Sequence, residues 1–151
     1  MKLKLNKSLK QQVKTRPVSA KAVMVVSGKI LVLRQENGNW DLPGGKVDEN
    51  ESVVEGLIRE VWEETKLSVT PIGLLASSTK PRSNEPDLLV LSYLCEVKTD
   101  EGDVVVELSH EHVGYKLIDL DDAFDLPMHA HFAEALHEAR KHIRKLISAA
   151  A

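Results

Sequence analysis

Residues 43–67 read PGGKVDENESVVEGLIREVWEETKL, and most of what the sequence predicts depends on this stretch. Residues 52–66 have helical spacing, with apolar side chains recurring three or four positions apart. The apolar side is wide enough to pack on a sheet, and it carries Val54, Leu57, Ile58, Val61 and Trp62. Ser52 followed by Glu55 is typical of a capping box. The stretch therefore predicts an amphipathic helix that starts at Ser52.

A second side of this helix gathers three carboxylates, those of Glu60, Glu63 and Glu64. Like charges one turn apart destabilise a helix by about 0.2–0.5 kcal/mol per pair, and a cluster that breaks a local rule indicates a functional site. Mg²⁺ prefers such carboxylate oxygens, together with water and substrate phosphates. A solvated acidic face balanced by Arg59 and Lys66 is the alternative. The helix alone leaves both interpretations open.

The residues before the helix favour a functional site. Pro43-Gly44-Gly45 predicts a turn whose backbone can approach a ligand or metal closely. Gly45, Glu51 and the run from Arg59 to Leu67 follow one another at spacings that resemble the signature of the Nudix hydrolases. Lys66 departs from that signature, in which a glycine is usual. A left-handed lysine at the end of a helix would cost about 1–2 kcal/mol.

This resemblance implies an activity and a set of site residues. The activity is metal-dependent hydrolysis of a diphosphate linkage in a nucleoside diphosphate joined to another moiety, by attack of water on phosphorus. The cofactor is Mg²⁺, with Mn²⁺ as the second candidate. The implied metal ligands are Glu60, Glu63, Glu64 and the backbone carbonyl of Gly44. Arg59 would hold Glu60 in place, and Glu51 would support the loop and pair with Arg59.

Two roles stay open within the resemblance. The general base is either Glu63 or Glu111, and Glu111 lies in the sequence Ser109-His110-Glu111-His112. Arg34 is a candidate contact for a phosphate, and Trp40 is either a contact for the base or sugar or a core residue. The substrate is a nucleotide sugar such as ADP-ribose, a dinucleoside polyphosphate or a damaged nucleoside triphosphate.

The flanking segments predict the fold class. Val18–Val26 and residues 30–34 form a hairpin pattern. Residues 69–77, Leu88–Val97, residues 104–108 and Gly114–Ile118 are further strand-like segments, and residues 129–147 have helical spacing. Strands and helices are mixed without a regular alternation, which predicts an α+β or mixed α/β fold. With the resemblance, the expected architecture is a Nudix-like α/β/α sandwich with a mixed sheet between helices.

Composition and charge bound the remaining possibilities. The chain has 151 residues with 42% hydrophobic and 28% charged residues, which fits one domain over residues 17–151. Residues 1–35 carry nine Lys or Arg and no acid, so residues 1–16 are expected to form a flexible basic arm. Nucleic acid is a secondary candidate partner for this arm. No segment is long enough for a membrane span. The single Cys95 predicts a core residue and fits a cytoplasmic location.

The sequence also bears on a second function class, on a structural zinc site and on assembly. A catalytically inactive, Nudix-like regulator that binds nucleotide or RNA is the alternative, but such relatives lose signature glutamates that this chain keeps. The pairs His110 with His112 and His129 with His131 lack cysteine partners and a complete ligand set, so no structural zinc is predicted. A homodimer is a further expectation from the resemblance.

Overall fold

The computed structural model describes residues 15–99 and 104–150, without the side chains of 146–150. Most of the predicted basic arm therefore lies outside the described residues. In chain order the strands are β1 (Val18–Val26), β2 (Lys29–Arg34), β3 (Trp40–Asp41), β4 (Gly44–Lys46), β5 (Val69–Lys80), β6 (Leu88–Val97) and β7 (Gly114–Ile118). The helices are α1 (Val53–Thr65), α2 (Leu120–Ala123), a 3₁₀ turn (Ala130–Phe132) and α3 (Ala133–Ala150). Among the described helices, none is long and apolar enough to cross a membrane.

The seven strands form one mixed sheet. Its main path runs β3-β2-β1-β6-β5, while β4 pairs with β1 and β7 pairs with β2. The pairing of β1 with β6 is parallel, and the other pairings are antiparallel. β1 thus contacts β2, β4 and β6, which explains why so many of its side chains are buried.

Alternation along the central strands builds a core on each face of the sheet. In β2, Ile30 and Val32 pack on one face and Leu31 and Leu33 on the other, because successive strand side chains point to opposite sides. Helix α3 covers the first face and α1 the second. Helices on both faces of a mixed sheet confirm the predicted sandwich. Cys95 is fully buried in the core under α1, as predicted.

The predicted capping box is present at the start of α1. The backbone N–H of Glu55 donates to Ser52 Oγ, and the Ser52 N–H donates to the Glu55 carboxylate. The predicted packing side is too wide, however. Leu57 and Val61 are fully buried, whereas Trp62 is 48% exposed, so the expectation that Trp62 packs in the core is wrong. Leu57 and Val61, one turn apart, are thus the fully buried apolar contacts of α1 with the core that contains Met24, Leu31 and Leu33.

Lys66 ends α1 in the left-handed conformation, with φ of 59° and ψ of 23°. Its backbone N–H donates to the Trp62 carbonyl, and its ammonium lies 5.5 Å from the centre of the Trp62 ring. The helix therefore ends in the same conformation as a helix terminated by glycine, and the lysine is strained in that conformation.

Replacing Lys66 by glycine is expected to stabilise the protein. Lys66→Gly relieves the left-handed strain of roughly 1–2 kcal/mol and loses part of this through added chain entropy. We expect a melting temperature about 2–4 °C higher by thermal unfolding. Lys66→Ala is the control, since it loses the Trp62 contact without relieving the strain. A Lys66→Gly protein that melts no higher than Lys66→Ala would contradict this interpretation.

Two sequence predictions for the second half of the chain need correction. Residues 104–108 alternate in burial but form no strand. Instead, the N–H groups of Glu107 and Ser109 donate to the carbonyls of Thr65 and Glu64, which the end of α1 leaves without helical partners. The last helix also begins later than residue 129, because a 3₁₀ turn precedes α3.

Candidate functional site

The guanidinium of Arg59 joins the loop before α1 to the carboxylates on the helix. It binds both carboxylate oxygens of Glu51, at 2.6 Å and 2.9 Å. Its Nη1 atom donates to Glu60 at 3.1 Å and to Glu63 at 3.1 Å and 3.2 Å. Nη2 also donates to the carbonyl of Lys46. The structure thus brings Glu51 and two of the predicted metal ligands, Glu60 and Glu63, together around the Arg59 guanidinium.

The ionisation of these groups follows from the contacts. The side-chain hydrogen bonds from Arg59 lower the pKa of Glu51 to about 2. Reciprocally, Glu51 raises the pKa of Arg59, with smaller contributions from Glu63 and Glu60. Both groups are therefore charged over the whole physiological range, and the fork geometry fixes the planes of the two groups relative to each other. Arg59 can position carboxylates without exchanging a proton itself.

The side chain of Glu60 lies directly over Gly45. A Cβ atom at Gly45 would lie 2.6 Å from the Glu60 carboxyl carbon, so glycine leaves the space that this carboxylate fills. Burial raises the pKa of Glu60, while Arg59 acts in the opposite direction and Glu63 and Glu111 raise it further. This arrangement crowds acidic groups together, and a divalent cation would relieve the repulsion.

Glu64 is the most buried carboxylate of the helix, with 2% of the residue exposed. Its Oε1 accepts the backbone N–H of Gly44 at 2.8 Å. Burial raises its pKa to about 8, against the opposing charge of Lys21. A cation bound to this carboxylate would favour the ionised form, so the residue fits a metal ligand electrostatically.

Gly44, whose backbone carbonyl is a predicted metal ligand, has a different neighbour on that side. Its carbonyl accepts a hydrogen bond from Lys21 Nζ at 3.2 Å, which leaves one oxygen lone pair free. The same ammonium donates to both Asp41 oxygens at 3.1 Å and to the Leu42 carbonyl. This largely buried ion pair ties β1 to the turn before α1. This ion pair was not predicted from the sequence, although a lysine between two alanines in an apolar strand is a signal for a paired buried charge.

A third group of candidates lies between the end of α1 and β7. Ligand atoms of Glu64, Glu111 and His112 all lie within 4.8 Å of one another. His112 is 9% exposed, and its Nδ1 lies 3.2 Å from Glu64 Oε2, whereas His110 is exposed. Proximity of Glu111 to the helix carboxylates agrees with the role predicted for it, which stays a prediction. His112 was not predicted as a site residue, because sequence spacing did not show which histidine of the pair turns inward.

The predicted substrate contacts Arg34 and Trp40 lie on paired strands, and Arg34 also pairs with Gly114. Arg34 is exposed, but Trp40 is only 8% exposed and packs in the core beneath α3. The ammonium of Lys116 lies 5.1 Å from the Trp40 ring centre. Arg34 is therefore available to a phosphate, while Trp40 offers little surface for stacking. Both roles stay predictions.

The second histidine pair lines a small cavity on the other side of the sheet. His129 and His131 stack with ring centres 5.2 Å apart. The cavity measures about 120 Å³, and its lining includes Lys21, Asp41 and Lys80. Burial lowers the pKa of His131 to about 4, with further contributions from His129 and Lys80. His131 is therefore neutral at physiological pH and packs against the His129 ring.

Replacing Arg59 by lysine is expected to disorder the carboxylate cluster. A lysine is a single-point donor, so Arg59→Lys cannot bind both Glu51 oxygens and also reach Glu60 and Glu63. We expect Mg²⁺ affinity, measured by isothermal titration calorimetry, to fall about 10–100-fold. Arg82→Lys is the control, because Arg82 pairs with Glu85 and Pro86, away from the cluster. Equal Mg²⁺ affinity in the two variants would contradict the positioning role of Arg59.

The sequence and the fold of this chain both match those of known proteins. The NUDIX domain family matches residues 15–139. A bis(5'-nucleosyl)-tetraphosphatase [asymmetrical] of Sus scrofa is 30% identical over 118 residues, covering 75% of this chain and 79% of the relative. The crystal structure of a MutT protein from Methanosarcina mazei Go1 is 29% identical with a TM-score of 0.71, covering 85% of this chain and 96% of that one. A C. elegans Ap4A hydrolase has the same fold at 22% identity, with a TM-score of 0.72 and coverage of 85% and 98%.

Proposed function

Since the chain belongs to the NUDIX family and is a Nudix-type pyrophosphohydrolase, we propose that it cuts a diphosphate linkage in a nucleoside diphosphate joined to another moiety, using Mg²⁺. Mn²⁺ is the proposed substitute. The observation that carries this proposal is that the Arg59 guanidinium donates hydrogen bonds to Glu51, Glu60 and Glu63. That arrangement gathers acidic groups at the cost of their mutual repulsion, which is expected of a site that binds a cation.

We assign the roles from these contacts. Glu60, Glu63 and Glu64 hold the metal, with the free lone pair of the Gly44 carbonyl as a further ligand. Arg59 positions Glu60 and Glu63, and Glu51 positions Arg59. When bound, Mg²⁺ neutralises the diphosphate and lowers the pKa of an attacking water. The chain's own contribution is a fixed set of carboxylate oxygens that need little rearrangement when the cation and substrate bind.

For the general base we favour Glu111 over Glu63. Both oxygens of Glu63 accept hydrogen bonds from Arg59, which leaves fewer of their lone pairs open to an attacking water. Glu111 is exposed and near the helix carboxylates, so it can reach a water that approaches the metal from solvent. Glu63 would then act as a ligand only.

For the substrate we propose a dinucleoside tetraphosphate, cut into a nucleoside monophosphate and a triphosphate. The support is the pig relative, whose alignment spans about three quarters of both chains. ADP-ribose and a nucleoside triphosphate remain the competing substrates. Exposed Arg34 is the proposed phosphate contact, and Trp40 stays a weaker candidate for the base or sugar.

A substrate panel tests this proposal. The purified protein is incubated with a dinucleoside tetraphosphate, ADP-ribose and a nucleoside triphosphate, each with Mg²⁺ or with EDTA, and the products are separated by anion-exchange chromatography. We expect Mg²⁺-dependent turnover with unequal products from the tetraphosphate as the fastest reaction. Faster turnover of another member would reassign the substrate. Absence of turnover throughout, with Mn²⁺ also tried, would favour the inactive nucleotide- or RNA-binding regulator.

The remaining expectations are also proposals. We propose one domain over residues 17–151 and a basic arm over residues 1–16 that can contact nucleic acid. A homodimer and a cytoplasmic location complete the proposed description. Sedimentation velocity and an RNA-binding assay with and without residues 1–16 would test the assembly and the arm.

A further inference from the structure

His112 has a buried nitrogen that lacks a hydrogen-bond partner among the described residues. Its side chain is 6% exposed, and Nδ1 makes no hydrogen bond there even though Glu64 Oε2 lies 3.2 Å away. An unpaired buried polar atom costs about 1–3 kcal/mol, so its presence in a packed site calls for an explanation. A cation that binds this nitrogen would supply that explanation.

The neighbouring carboxylate of Glu64 is oriented so that it can bind the same cation as the His112 nitrogen. Glu64 Oε1 is held by the Gly44 N–H, which leaves Oε2 on the side of His112. Two ligands at right angles on one ion, each about 2.1 Å from it, lie about 3 Å apart. The separation of 3.2 Å between Oε2 and Nδ1 fits this geometry. Glu111, within the same 4.8 Å cluster, adds negative charge that attracts a cation.

The backbone holds this nitrogen in place before any cation arrives. The segment leading to His112 is anchored to the last turn of α1 through the hydrogen bonds from Glu107 to Thr65 and from Ser109 to Glu64. On its other side, Val113 N–H donates to the Arg34 carbonyl. The imidazole therefore approaches Glu64 from a fixed segment, and cation binding needs little reordering of the chain.

We propose that Glu64 Oε2 and His112 Nδ1 together form a cation site whose nitrogen ligand favours Mn²⁺ over Mg²⁺. The inference rests on the proposed function, because it uses a carboxylate of that metal site, and it specifies which cation the site prefers. Imidazole nitrogen is a borderline ligand that binds first-row transition ions, whereas Mg²⁺ demands oxygen ligands and gives up water reluctantly. A site built only from carboxylates would lack this preference.

Electron spin echo spectroscopy of Mn²⁺ bound to the full chain tests the proposal directly, because a coordinated histidine nitrogen modulates the echo. Wild-type protein should show this nitrogen modulation. His112→Gln should lose it, and its Mn²⁺ dissociation constant should rise about tenfold or more. His110→Gln is the matched control, since the exposed neighbouring histidine should contribute nothing. Mg²⁺ affinity should change much less than Mn²⁺ affinity in His112→Gln.

Three outcomes would overturn the site, and two of them need only the wild-type protein, so they do not depend on how the variant folds. Bound Mn²⁺ without nitrogen modulation in the wild-type protein would exclude His112 as a ligand. Modulation that persists in a folded His112→Gln protein would assign the nitrogen elsewhere. Mn²⁺ that fails to bind would also refute the site. Mg²⁺-dependent hydrolysis by the wild-type protein is measured separately, so the proposed function can stand while this inference fails.

Discussion

Replacing Glu64 by glutamine is expected to lower the turnover number by more than about 100-fold. The substitution keeps the size of the side chain and an oxygen that can accept the Gly44 N–H, but it removes the negative charge from the most buried position of the cluster. Loss of a ligand should exceed the 10–100-fold loss typical of residues that only support ligands. Steady-state kinetics at saturating Mg²⁺ measures it.

Although the turnover number of Glu64→Gln should fall, its stability relative to wild type should rise with pH. Because the pKa of Glu64 is about 8 in the fold and near 4.5 in the unfolded chain, the unfolded chain loses its proton first as pH rises. The stabilisation from the neutral carboxyl is therefore complete below about pH 4.5 and is lost as pH rises through 8. In EDTA, Glu64→Gln should gain stability relative to wild type between pH 5 and pH 8, by about 2 kcal/mol or more.

Denaturant unfolding at the two pH values measures this difference. Added Mg²⁺ should restore wild-type stability at pH 8, because cation binding favours the ionised carboxylate, and should do less for the variant. A variant that is inactive but destabilised equally at both pH values would instead indicate a general packing defect. Such a result would leave the ligand role of Glu64 without support.

Gly44→Ala is expected to destabilise the fold by about 3 kcal/mol or more, which corresponds to a melting temperature lower by roughly 10 °C. Gly44 has φ of 128°, and a Cβ atom there would overlap the backbone carbonyl oxygen of Ala20. Neither contact partner can move freely, because Ala20 lies in the central strand β1. Thermal unfolding in EDTA measures the loss apart from any effect of cation binding.

The adjacent Gly45→Ala variant is the matched comparison. Its Cβ atom would meet the end of the flexible Glu60 side chain, and Gly45 needs no left-handed backbone. We therefore expect a small change in melting temperature but weaker Mg²⁺ binding, because Glu60 must move. Equal destabilisation by the two substitutions would contradict this division between a backbone role for Gly44 and a role for Gly45 in seating a carboxylate.

The parts of the structure that depend on local spacing were predictable. The capping box at Ser52, the placement of Glu60 and Glu63 on one side of the helix, and the strands Val18–Val26 and Leu88–Val97 follow from periodicity and side-chain chemistry within short segments. The resemblance added the contacts of Arg59 with Glu60 and with Glu51. These contacts lie within one element and its preceding loop, so their geometry follows once the helix forms.

The parts that depend on packing between distant segments were not predictable. Residues 104–108 alternate as a strand does, yet their backbone N–H groups bind the carbonyls at the end of α1 instead of pairing with a strand. The burial of His112 against Glu64 depends on that docking. Likewise, the contacts of Lys21 with Asp41 and Gly44 arise from the pairing of β1 with β4. Residue spacing carries no information on such contacts.

The central claim is that the carboxylates of α1 hold the cation that hydrolysis needs, and one rate comparison tests it most directly. The rate of Mg²⁺-dependent hydrolysis is measured for Glu60→Gln and for Glu55→Gln, on the panel substrate that the wild-type protein turns over fastest. Both lie on the same helix, and glutamine at position 55 preserves the capping box. We predict a loss of about 100-fold or more for Glu60→Gln and a near wild-type rate for Glu55→Gln. Equal rates in the two variants would contradict the claim.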